Sequence, residues 1–97
     1  MKHFHRTHLP PDRVLAEADD FFPTIGLAAA ATGERSRAWT GPIGAMQLVV
    51  KAEGGHYTFV EVDTDQMGES RLDRYVKKFF VRLHRVSNPS HRLHAAF

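Results

Sequence analysis

Two runs of strand-forming residues separated by a glycine pair constrain this chain more than any other feature. AMQLVVKAE (45–53) and HYTFVEVDT (56–64) flank Gly54-Gly55. Val, Thr and aromatic residues fit a half-buried pleated surface, and two glycines supply the positive-φ backbone of a tight hairpin. The sequence predicts an antiparallel pair joined by a two-residue turn. That turn pairs Glu53 with His56, Val50 with Phe59, Leu48 with Glu61 and Met46 with Asp63. Met46, Leu48, Val50, Tyr57 and Phe59 then share the face expected in the core, with Glu61 and Asp63 at its end. Gln47, Val49, Lys51, Thr58, Val60 and Val62 share the other face.

Other elements follow from periodicity and punctuation. Residues 2–8 alternate weakly and read as a strand near an edge. Pro10-Pro11 and Asp12 suit a helix start, because proline loses no needed N–H there and the carboxylate faces the positive helix end. Val14, Leu15, Ala18, Phe21 and Phe22 recur as one helical face, and Pro23 stops it. Residues 27–40 read as one long or broken strand, bent or turned at Gly33. Gly41-Pro42-Ile43-Gly44 reads as a turn. A last helix runs from about Glu69 to Val86, ended by Asn88-Pro89, and residues 89–97 read as a loose tail. The expectation is an α+β fold in the order β-α-β-β-β-α: an antiparallel sheet of about four strands with two helices on one face.

The 97 residues suffice for a single domain spanning 1–97. Ordinary hydrophobic (42%) and charged (25%) fractions disfavour disorder. The absence of cysteine excludes disulfides, thiolate nucleophiles and Cys-ligated metals. No apolar run reaches the roughly 20 residues of a membrane span, and the opening lacks the apolar segment of a signal peptide, so a cytoplasmic location is expected.

Leu9-Pro10-Pro11-Asp12-Arg13-Val14-Leu15, continuing to Asp19-Asp20-Phe21-Phe22-Pro23, resembles the opening of the START-like helix-grip proteins, the polyketide-cyclase-like (SRPBCC) superfamily. The resemblance implies a first strand running into a proline, a short amphipathic helix, and a meandering sheet closed by a long C-terminal helix. Gly41-Pro42-Ile43-Gly44, the hairpin at Gly54-Gly55 and the helix over 69–86 fit that order in a trimmed version of the fold. It further implies a cavity for a small apolar ligand between sheet and helix, lined here by Trp39, Met46, Leu48, Phe59, Phe79 and Leu83. A rival likeness, to a ribosome-hibernation fold that binds RNA through basic helices, rests on element order alone.

The stretch RLDRYVKKFFVRLHR (71–85) carries the most concentrated charge. On a helix, Leu72, Tyr75, Val76, Phe79, Leu83 and Val86 form the apolar face. Arg71, Arg74, Lys78, Arg82 and Arg85 fall in an adjacent arc of roughly 80°. Such a stripe suits phosphates or an acidic protein surface; it also suits the plain solvated back of a core helix. With both helices on one side, Val49, Lys51, Val60 and Val62 present an uncovered sheet face, a second candidate interface with a partner or with another copy.

No motif carries catalysis. Gly41-Pro42-Ile43-Gly44 lacks the lysine and helix of a phosphate loop, and no nucleophile elbow, zinc-protease or dinucleotide motif occurs. Seven histidines include the pairs His3/His5 and His91/His94, too few in either place for a zinc site. The chain therefore reads as a non-catalytic interaction or accessory protein, without cofactor or metal. Its expected partner is an acidic protein surface or a second copy. The alternatives are a small apolar ligand held helix-grip fashion, and RNA or the ribosome.

Overall fold

The computed structural model describes residues 1–87. The order is β1 (Lys2–Thr7), α1 (Pro11–Phe21), β2 (Ala28–Thr32), β3 (Ser36–Gly41), β4 (Gly44–Glu53), β5 (Tyr57–Thr64) and α2 (Arg71–Ser87), with a 3-10 turn over Phe22–Ile25 after α1. The strands form one antiparallel sheet in the spatial order β1-β5-β4-β3-β2. The chain is α+β as expected, with five strands instead of about four. The Asn88-Pro89 helix stop, the tail over 89–97 and His91/His94 lie outside the described residues.

The additional strand comes from residues 27–40. Their glycine does not bend one strand but reverses it, giving a hairpin of β2 and β3. Gly33 N–H donates to the Ser36 carbonyl at 3.0 Å. The Arg37 guanidinium donates to the carbonyls of Gly33 (2.7 Å) and Ser36 (2.8 Å), and its Nε meets Asp19 of α1 at 3.1 Å. One arginine thus closes the hairpin and ties it to a helix. β2 itself is an exposed edge strand, and a bulge shifts its register between Ala29 and Ala31.

Local chemistry sets the helix ends. Pro10 occupies the extended cap position of α1 (φ −65°, ψ 156°) with Pro11 as its first residue. The chain then tightens around Pro23 and leaves through Gly26 at φ 90°, a left-handed exit. Ser70 and Asp73 start α2 as a reciprocal capping box: Asp73 N–H donates to Ser70 Oγ at 3.1 Å, and Ser70 N–H donates to Asp73 Oδ2 at 3.3 Å.

The hairpin register differs from the sequence expectation by one residue, and this moves every side chain of β5 to the opposite face. Glu53 pairs with Tyr57, Val50 with Val60, Leu48 with Val62 and Met46 with Thr64. The turn has three residues, Gly54-Gly55-His56, with Gly55 at φ 77° and His56 at φ 69°. The physical reason lies in what each register would bury. The expected one sends Tyr57, Phe59, Glu61 and Asp63 into the core, and two buried carboxylates without partners cost several kcal/mol each. The observed one buries Thr58, Val60, Val62 and Thr64.

Val60 and Val62 are therefore not on the uncovered face. They are fully buried in one core with Leu48, Val50, Trp39 and the helix residues Val14, Ala18, Leu72, Val76, Phe79 and Leu83. Phe59 is not with them. Its expected companions Trp39, Met46, Leu48, Phe79 and Leu83 all lie in the core. There Phe22 sits between Trp39 and Phe79, with ring centroids 4.9 Å from each. Both helices pack on this side of the sheet.

Candidate functional site

Strand alternation puts a defined set of side chains on the side away from the helices. Successive rows across β1, β5 and β4 read Lys2–Asp63–Gln47, Phe4–Glu61–Val49 and Arg6–Phe59–Lys51. Tyr57 closes the series, with the His8 ring 4.6 Å from its own. Phe4 and Phe59 stack diagonally at 5.6 Å with 26° between planes. The Arg6 guanidinium lies 5.3 Å from the Phe59 ring centroid while its Nε meets Glu53 at 2.9 Å. Phe4 is 55% exposed and Tyr57 43%. Stacked aromatic rings held in place by an arginine, on a sheet face that no helix among the described residues covers, form a pre-ordered contact surface.

Of the face residues expected from sequence, Gln47, Val49 and Lys51 are here; Phe4, Arg6, Phe59 and Glu61 were not anticipated. The signal for them was present: Phe59 shares its parity with Glu61 and Asp63, and two carboxylates mark a solvent-facing row. Towards β3 and β2 the face falls away into an open hollow of about 400 Å³, where Ala30 and Ala38 leave space and Gln47, Asp63 and Asp65 form its polar wall. Asp65 accepts from Gln66 Nε2 at 2.7 Å and from Ala45 N–H at 3.0 Å; both bonds hold its carboxyl below the ordinary range.

The five cations of α2 belong to the helix layer, on the other side of the sheet, so the two candidate surfaces do not converge. They also differ among themselves. Arg82 Nε meets Glu17 of α1 at 3.2 Å, reaches towards Asp20 at 4.0 Å, and covers the Phe21 ring at 5.9 Å. It joins the two helices. Lys78 rests over Tyr75 at 5.2 Å, and Arg74 donates to the Glu69 carbonyl at 3.3 Å. Arg71 and Arg85 are exposed and form no ion pair among the described residues.

A polar cluster missed in the sequence lies inside the fold. His3 Nε2 is 2.8 Å from Asp73 Oδ1, and the Thr64 hydroxyl donates to the same oxygen at 2.8 Å. The Ser70 hydroxyl donates to Asp73 Oδ2 at 2.7 Å. Burial alone would raise the Asp73 pKa. The bonds from His3, Ser70 and Thr64 outweigh it and hold the carboxyl well below the usual range. Both hydroxyls point at the carboxylate, so neither is activated by His3 as a nucleophile would be. The cluster fastens the first turn of α2 to β1 and β5.

Among the described residues no group of three or more His, Asp and Glu is arranged to hold a metal, and no helix is long and apolar enough to cross a membrane. No protein-family model matches the chain, and no curated protein matches it in sequence.

Proposed function

We propose that this chain is a non-catalytic interaction protein that docks another protein surface on the helix-free face of its sheet. The observation that carries this reading is the exposed Phe4–Phe59 stack with Arg6 laid over it. Docking centres on rigid aromatic and arginine side chains, which lose little conformational freedom on contact. The outward cations Arg71 and Arg85 offer a separate electrostatic surface on the helix layer, open to a different partner. The cysteine-free sequence suits a reducing compartment, and the reading places the protein in the cytoplasm.

The element order supports the likeness to a trimmed START-like helix-grip protein. A strand leads through prolines to a short helix, and a meander ends in a 17-residue helix. On this second reading an apolar ligand would have to part Phe22 from Trp39 and Phe79, against both of which its ring packs.

Affinity capture from an extract of the source cells tests the first reading. Phe4→Ser abolishes capture while the circular dichroism of the folded chain is unchanged, whereas Arg71→Glu with Arg85→Glu leaves the same partner bound. Capture indifferent to Phe4→Ser overturns it. Nucleic acid, in place of protein, in the captured material decides for the RNA alternative.

A further inference from the structure

We infer that the partner of the helix-free face is a second copy of this chain, in a two-fold, face-to-face dimer. The inference rests on the reading of that face as a docking surface and names its occupant. Its basis is the order of charges along the strands.

One row carries Arg6, Phe59 and Lys51; the next carries Phe4, Glu61 and Val49. A two-fold axis lying between facing sheets, perpendicular to the strands, reverses strand direction and preserves the lateral order of strands. It sets each cationic row over the partner's Glu61 row. Glu61 then meets Phe59 of the other copy, flanked by that copy's Arg6 and Lys51, and the same contact recurs by symmetry. Phe4 comes under Arg6 beside Phe59, so four aromatic rings gather at the centre. This is the self-complementarity an isologous interface needs.

Two further observations favour a copy over other partners. Lys51 and Glu61 are diagonal neighbours, yet neither forms an ion pair among the described residues. Both remain available across an interface. Moreover, Lys2, Arg6 and Lys51 are balanced by Glu53, Glu61 and Asp63 on the same face. A face so balanced in sign attracts neither a polyanion nor a uniformly acidic surface, but it fits its own image.

Sedimentation equilibrium on the full chain tests this. The wild-type chain is a dimer. Glu61→Lys and Lys51→Glu each weaken self-association at least about tenfold, because like charges then meet across the axis. An equimolar mixture of the two variants restores the dimer, since each supplies the charge the other needs. Restoration also demonstrates that both variants fold. A monomeric wild-type chain, single variants that remain dimeric, or a mixture that remains monomeric overturns the inference. If the wild-type chain is monomeric but Phe4→Ser still abolishes capture of another protein, only the identity of the occupant is overturned. If capture is also indifferent to Phe4→Ser, the docking surface itself is overturned.

Discussion

His3 Nε2 lies 2.8 Å from Asp73 Oδ1, across 70 positions of sequence, and joins the first strand to the first turn of the last helix. The carboxylate is fully buried and accepts from the hydroxyls of Thr64 and Ser70 as well. Removing it leaves three polar side chains facing an empty place and deletes the carboxylate half of the capping box, while Ser70 Oγ still caps the residue 73 N–H. Asp73→Ala is expected to destabilise the fold by about 3 kcal/mol, measured by denaturant titration. Asp73→Asn is expected to cost less, since it retains one acceptor oxygen.

Acid should unfold the protein in two stages. The folded pKa of His5 is lowered, first by burial against Phe80 and second by repulsion from His84. The unfolded chain therefore binds this proton more readily, and stability falls as pH drops below about 6.5. Asp73 has the same sign further down. Its stabilisation is complete above the unfolded value of about 3.9 and is lost as pH falls towards the lower folded value. His5→Phe, which keeps a ring for the 4.9 Å stack on Phe80, should flatten the first stage and leave the second. Melting temperatures from pH 8 down to about pH 2 distinguish the stages.

Charge changes along α2 should not be equivalent. Arg82→Ala removes the main partner of the buried Glu17 and is expected to cost about 1–2 kcal/mol. Arg74→Ala is expected to stay within about 0.5 kcal/mol. In a Glu17→Ala background the cost of Arg82→Ala should shrink, and the double-mutant cycle measures the coupling.

His56 holds a left-handed backbone that glycine accepts freely. His56→Gly is expected to raise stability by about 0.5 kcal/mol, the relief of strain exceeding the entropy glycine adds to the unfolded chain. Loss of stability would mean that the His56 side chain contributes to the turn.

The sequence signals were strongest where one local rule decided. Pro10-Pro11 and Pro23 bounded α1, and the apolar period placed Leu72, Val76, Phe79 and Leu83 against the sheet. They failed where two local rules competed. A glycine pair argued for a two-residue turn, while Glu61 and Asp63 argued that their row faces water; the carboxylates prevailed and carried Phe59 with them. In the same way Gly33 permitted a bend or a reversal, and the bonds from Arg37 that accompany the reversal join residues no local window holds together with Asp19. The division of the α2 cations into a structural Arg82 and the outward Arg71 and Arg85 depends on the acidic side of α1, a tertiary matter.

The register shift within β2 has a consequence for how copies of the chain coexist at high concentration. Ala28–Thr32 forms a sheet margin with no charged side chain to guard it. A regular margin of that composition invites a neighbour's strand to add on, and then another, without limit. The extra residue between Ala29 and Ala31 breaks the regular spacing of the amide groups midway along the strand. An arriving strand can bond to one half of the margin or the other but not to both in step. One misplaced alanine thus opposes open-ended fibre growth in a protein that keeps its charges elsewhere.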